Sequence, residues 1–288
     1  MNIEIGLAQM TPKLGAIADN LERHLEIIEQ GVAQNLDLIV FPELSLTGYR
    51  LRDLAFEVAI EASAEHPILA PLVAASEKID LVVGFVEADQ RQKFHISSAY
   101  ISQGEIVHVH RKVYLPTYGM FDEGRYFAWG DSIAAFDTRF GRIAMLICED
   151  FWHVSPPYLA WLDGADILIF TSASPGRGLT DEERVGSARW VEQVTQAYAN
   201  LFTNFVIHVN RTGFEDGVTF WGGSAAYDPD GLLLAQAPYY EEALVTATLD
   251  VSQLRRTRVR LPLLRDERTA LTQRTLMRIL DDGWNNGR

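Results

Sequence analysis

The chain is predicted to be an α/β protein built as two similar halves packed sheet against sheet. Three observations predict it. Short β-rich runs alternate with segments of helical period along most of the 288 residues. Two of those runs, "LDLIVFPE" (36–43) and "ADILIFTSA" (165–173), are apolar on both faces, as strands covered on both sides must be. Each of the two also follows a helical segment, so one helix–strand unit echoes the other.

The elements follow in order. "IEIGLAQM" (3–10) reads as a first strand. In 19–34, Leu21, Leu25, Ile28 and Val32 form one apolar stripe, and Asp19 is placed to cap the start. The strand 36–43 comes next, then "DLVVGFVEA" (80–88), "ISSAYIS" (96–102) and "IVHVHRKVYL" (106–115). "GRIAMLIC" (141–148) opens the second half, and a short helix at 155–163 leads into 165–173. In 181–201 a second stripe runs through Trp190, Val194, Ala197, Tyr198 and Leu201. "NFVIHVN" (204–210), "GSAAYD" (223–228) and "LVTATLD" (244–250) close the set. No Gly/Ser- or Pro-rich linker divides the halves, so one domain over 1–288 is expected.

Composition narrows the function. The hydrophobic fraction of 48% and charged fraction of 22% are those of an ordinary globular protein. The longest apolar runs are strand-sized, the start lacks a secretory pattern, and a lone cysteine forms no internal disulfide; a cytoplasmic protein is expected, with no membrane partner. A net charge of −14 argues against nucleic acid as a partner. The arginines crowded between Arg255 and Arg278, interrupted by Asp266 and Glu267, read as a solvated or subunit-facing segment.

Chemistry concentrates at three places, each following or within a strand-like run. In "VFPELSLTGY", Pro42 stops the ladder and Glu43 begins the turn. In "HRKVYLP", Lys112 stands in an apolar, strand-like stretch. In "LICEDFW", the only cysteine, Cys148, ends a buried strand, where α/β proteins commonly place ligands and nucleophiles. Alone, each has a plain structural reading: a solvated glutamate, a snorkelling lysine, a buried thiol. Together they are chemically coherent. A thiol needs its proton removed to attack, a glutamate can take that proton and return it to a leaving amine, and a lysine can hold a developing oxyanion beside backbone N–H groups. His108 and His110 share a strand face but lack a third ligand at suitable spacing, so paired surface or interface histidines are expected and no metal. "GGSAA" (222–226) lacks the closing glycine of a serine nucleophile elbow.

These stretches, in this order, resemble the nitrilase superfamily of carbon–nitrogen hydrolases, and the likeness continues through "NFVIHVNRTG" and "GGSAAYDPDG". The resemblance implies a four-layer αββα sandwich, a Glu43-Lys112-Cys148 catalytic set, hydrolysis of a linear amide through a thioester, no cofactor, and a homodimer or higher homo-oligomer. "LPTYGMFDEGRYF", "ICEDFW" and "TSASP" are similar to the glutamine-hydrolysing domain of glutamine-dependent NAD synthetases. That likeness places Tyr118, Glu123, Trp152 and Ser174 around the substrate, with an oxyanion N–H near Glu149. Glu123 also matches a second glutamate that orients the lysine, and it is a candidate partner for a charged substrate end. Structural readings stay open beside these: a capping acid for Glu123, core packing for Trp152, a turn residue for Ser174. The chain carries no phosphate-binding glycine loop of either common type, so a free-standing amidase is expected, with nitrile or carbamoyl hydrolysis, ammonia supply to a separate synthetase, or a non-catalytic binding role as alternatives.

Overall fold

Runs apolar on both faces become the central strands. In the computed structural model, which describes residues 1–176 and 185–281, the chain order is β1 (Asn2–Gln9), α1 (Ile17–Ala33), β2 (Leu38–Val40), α2 (Ala70–Ala75), β3 (Asp80–Ala88), β4 (Phe94–Ser102), β5 (Glu105–Arg111), β6 (Phe136–Thr138), β7 (Gly141–Ile147), α3 (Ser155–Leu162), β8 (Ile167–Ser172), α4 (Gly186–Phe202), β9 (Phe205–Asn210), β10 (Thr212–Glu215), β11 (Val218–Trp221), β12 (Ala225–Tyr227), β13 (Leu233–Gln236), β14 (Ala243–Asp250), α5 (Ser252–Arg260), α6 (Leu263–Asp266) and α7 (Thr269–Ile279).

Two six-stranded sheets result, ordered β14-β1-β2-β3-β4-β5 and β13-β12-β9-β8-β7-β6, with β10 and β11 as a separate hairpin. The centre of each sheet is parallel: β1, β2 and β3 in one, β7, β8 and β9 in the other. The strand period of two sorts the side chains. Ile3, Ile5, Leu38 and Val40 from one sheet meet Ile143, Met145, Ile167 and Ile169 from the other in a shared core. The alternate residues face outward. Ile39, Phe41, Leu81 and Val83 pack with Ile27, Ile28 and Leu72 of α1 and α2. Ala144, Leu146, Leu168 and Phe170 pack with Ala160, Trp161, Ala188 and Val191 of α3 and α4. Four layers, αββα, follow from this alternation, as the resemblance to the nitrilase superfamily implies.

Local differences have local reasons. Asp19 does not cap α1, which starts two residues earlier; it lies in the first turn, where an acid suits the helix dipole, and pairs with Lys13. The strand expected over 106–115 stops at Arg111, because the N–H groups of Val113 and Tyr114 turn to the Asp150 carboxylate, both at 2.9 Å. The helix expected over 181–201 begins at Gly186 among the described residues, and positions 181–184 lie outside them. His110 is not at the surface: it is buried, with Nε2 2.9 Å from Asp150 Oδ2, while His108 stacks on Phe136. The arginine run partly ties its helix to the chain itself, since Arg258 bonds Asp166 and Asn204. Among the described residues, no helix is long and apolar enough to cross a membrane.

The interior sets a pH limit on the fold. Burial lowers His24 to about 4 and His208 to about 3, both from 6.5, so each stays neutral in the folded chain. The unfolded chain binds protons at these residues once pH falls below about 6.5, whereas the folded chain does not until far lower. Stability is therefore intact above that value and falls with pH towards the folded-state pKa values. Between pH 7 and 5 these two imidazoles alone cost roughly 2–4 kcal/mol. Glu123, raised to about 7, takes up a proton in the folded chain over the same range and opposes the loss. The wild type should therefore lose about that much stability relative to His24→Gln/His208→Gln, read from their urea midpoints. A difference between the two proteins that does not change with pH would contradict the buried neutral imidazoles.

Candidate active site

The carboxyl ends of the parallel strands converge on one edge of the sandwich. After β2, Pro42 has no N–H to continue the ladder and the chain turns through Leu44, at φ +50°. The turn lies hard against β3 at Gly84, where a Cβ would come within 2.5 Å of Leu44 N and 2.6 Å of Pro42 O; only glycine permits that approach. Glu43 is thereby held fully inside, 1% exposed. Its Oε2 accepts the Ala173 N–H at 2.7 Å, a bond from the end of the opposite sheet. Lys112 sits one residue beyond β5, with its N–H still donating to Ile96 O. Its side chain is wholly buried, an expensive place for an ammonium unless paired. Two partners hold it: Nζ donates to Glu43 Oε1 and Glu123 Oε1, each at 2.8 Å.

Cys148 ends β7 and opens a short 3₁₀ turn, Cys148–Phe151, with the cysteine itself at φ +45°. That is the left-handed region, costly for a residue with a side chain and common where a site over-determines the backbone. Asp150 is the fastener. Its Oδ1 accepts the N–H groups of Val113 and Tyr114, and its Oδ2 accepts the Ile147 N–H at 3.0 Å and faces His110 Nε2. One carboxylate thus joins the segment after Lys112 to the segment before Cys148.

The electrostatics follow from burial. Burial and then the Glu43 carboxylate push the Cys148 thiol well above its ordinary range, with Lys112 pulling the other way. The resting thiol is protonated at neutral pH and needs a base. Burial works against a charge on Lys112, but Glu123 and Glu43 outweigh it and keep the ammonium protonated. Glu123 is raised to about 7, by burial first, with Lys112 opposing.

The thiol opens on a small cavity of about 60 Å³ lined by Tyr118, Glu149, Trp152, Ser174, Ser187 and Val191 among others. Four of the expected substrate residues therefore meet around Cys148. Tyr118 donates its hydroxyl to Glu149, 3.0 Å from both carboxylate oxygens. Trp152 is 36% exposed and stacks on Trp190 at 3.6 Å, so it is a wall and not core filling. Ser174 is buried, its N–H donating to Asn210 Oδ1. Glu123 does not line this cavity. It borders a neighbouring one of about 240 Å³ together with Tyr49, Arg50 and Phe121, and accepts the Tyr49 hydroxyl at 2.6 Å. Reading the sequence missed Tyr49, Asp150 and Asn210. Each lies inside a quoted stretch, but their partners are distant in the chain, and no local spacing exposes such bonds.

Residues 4–259 match the carbon–nitrogen hydrolase family. A glutamine-dependent NAD(+) synthetase of Synechocystis sp. is 31% identical over 265 residues, covering 86% of this chain and 46% of that protein. A probable nitrilase of Schizosaccharomyces pombe is 28% identical, with 87% and 90% covered. The crystal structure of a carbon–nitrogen hydrolase from Helicobacter pylori superposes with a TM-score of 0.82 at 24% identity, over 96% of this chain and 99% of that one, a likeness of fold. The chain spans less than half the length of the synthetases it matches. With the family matched over nearly its whole length, the chain belongs to the carbon–nitrogen hydrolases.

Proposed function

We propose that the chain is an amidase that hydrolyses the terminal carboxamide of glutamine or a similar ω-amide, with Cys148 as nucleophile. The observation that carries this reading is the buried Glu43–Lys112 pair beside the buried Cys148 thiol at a strained strand end. Glu43 takes the thiol proton, and sulfur attacks the amide carbon. Lys112 and a backbone N–H near Glu149 hold the tetrahedral oxyanion. Ammonia departs with the proton returned by Glu43, leaving a thioester. Water, activated by Glu43, then releases the carboxylate and the thiol. No step calls for a cofactor. Glu123, engaged by Lys112 and Tyr49, fits the lysine-orienting role of the two expected for it.

The substrate class rests on the cavity. Its small volume suits a short acyl chain, and Glu149, buried with Tyr118 on it, offers a carboxylate to an ammonium at the far end. A site built to bond polar groups rejects analogues that leave those groups unpaired. Glutamine should be cleaved with a kcat/KM on the order of 10²-fold or more above an aliphatic amide of equal length, and Glu149→Gln should shrink that preference. If the aliphatic amide wins, the glutamine assignment fails while the amidase reading survives. The likeness to glutamine-dependent NAD(+) synthetases favours one second reading, a glutaminase that supplies ammonia to a synthetase. Glutamine turnover stimulated by such a partner would support it.

A further inference from the structure

The hairpin of β10 and β11 lies outside the catalytic set, yet two fully enclosed charges sit at its base. Arg211 is wholly buried, and its Nη1 donates to Glu215 Oε2 at 2.5 Å. Its guanidinium lies over the Phe220 ring, 4.2 Å from the centroid, and Nη2 donates to Pro12 O. A buried ion pair is weak evidence for stability, because desolvation offsets much of the attraction. What it does offer is a fixed geometry, and here the geometry has a target.

Glu215 Oε1 accepts the N–H groups of Tyr49 and Arg50, at 2.9 and 2.6 Å. Gly48 makes that approach possible, since a Cβ there would lie 2.9 Å from Glu215 Oε2. The same hairpin holds the Tyr49 ring, with Phe220 edge-on at 6.0 Å. Tyr49, gripped by backbone and by ring, places its hydroxyl on Glu123 Oε1, the very oxygen that receives Lys112 Nζ. We propose that Glu215, set in place by Arg211, is a positioning residue that acts through Tyr49 and Glu123 to hold the Lys112 ammonium at the reacting centre. Lys112 would otherwise share its protons between two carboxylates with nothing to fix Glu123, and a small misplacement of such a group is costly in rate.

The proposal rests on Glu43, Lys112 and Cys148 being the reacting set. Removing Glu215 alone would strand a buried arginine and risk the fold, so the informative variant is Arg211→Met/Glu215→Leu, which leaves no buried charge. It is compared with Tyr49→Phe and with the three changes combined. Two readouts are taken on each: amide turnover, and the pH profile of Cys148 alkylation by iodoacetamide. Each parent variant should lose on the order of tenfold in kcat with KM nearly unchanged, and its alkylation profile should move to higher pH as the lysine drifts from the thiol. The combined variant should be no worse than the weaker parent, because all the changes cut one chain of contacts. Losses that multiply, or an alkylation profile like the wild type's in Arg211→Met/Glu215→Leu, would overturn the proposal. If the wild type cleaves no amide, the proposed function fails, but the alkylation profiles still decide where the lysine is held.

Discussion

Cys148→Ala should fold and should turn over no amide, with kcat reduced at least about 10⁴-fold, the scale seen when a nucleophile is deleted. The thiol is 6% exposed and packs among Leu44, Ile147, Val86 and Ile96, so losing one sulfur leaves a small cavity costing about 1 kcal/mol. The φ of +45° strains alanine as it strains cysteine, so the backbone term nearly cancels. Stoichiometric alkylation of the wild type, blocked by substrate, should reproduce the loss. Activity near the wild-type rate in Cys148→Ala would end the nucleophile assignment.

Lys112→Met should lose about 10²–10³ in rate, the usual effect of removing an oxyanion donor. Its structural cost is also large. The ammonium is the shared partner of two buried carboxylates, and without it Glu43 and Glu123 face each other uncompensated. Breaking a buried pair costs about 3–5 kcal/mol, so the variant should melt well below the wild type unless one of the acids takes up a proton. The remaining thiol should still alkylate, with its profile moved to higher pH because Lys112 no longer lowers the thiol pKa. A wholly unreactive Cys148 would mean that lysine serves mainly to activate the thiol, and the oxyanion role would go to backbone N–H groups alone.

These effects concentrate where the sequence was most readable. The two-faced apolar strands 36–43 and 165–173 announce a sheet covered on both sides, and the alternation within them places the shared core. Glu43, Lys112 and Cys148 are legible because each interrupts an apolar run with a reactive group. Position in the fold then supplies what spacing cannot. The strand predicted over 106–115 overruns because Val113, Tyr114 and Leu115 look like strand residues, whereas Asp150, 36 residues on from Tyr114, claims the N–H groups of Val113 and Tyr114. Glu215 sits in "GFEDG", a pattern that reads as a plain hairpin turn. Nothing near it in sequence reveals that its carboxylate grips Tyr49, 166 residues away. The β10–β11 hairpin and the C-terminal helices are not anticipated: the hairpin strands are only four residues each, and the arginines dominate the reading of the C-terminal stretch.

The central claim is a thioester on Cys148, and leaving-group partitioning tests it most directly. An amide and an ester of the same acid are each turned over in the presence of hydroxylamine, and the ratio of hydroxamate to free acid is measured. One shared acyl-enzyme cannot remember which group departed, so the account predicts hydroxamate from both substrates in the same ratio. Ratios that differ with the leaving group, or hydrolysis with no hydroxamate from either substrate, would contradict it.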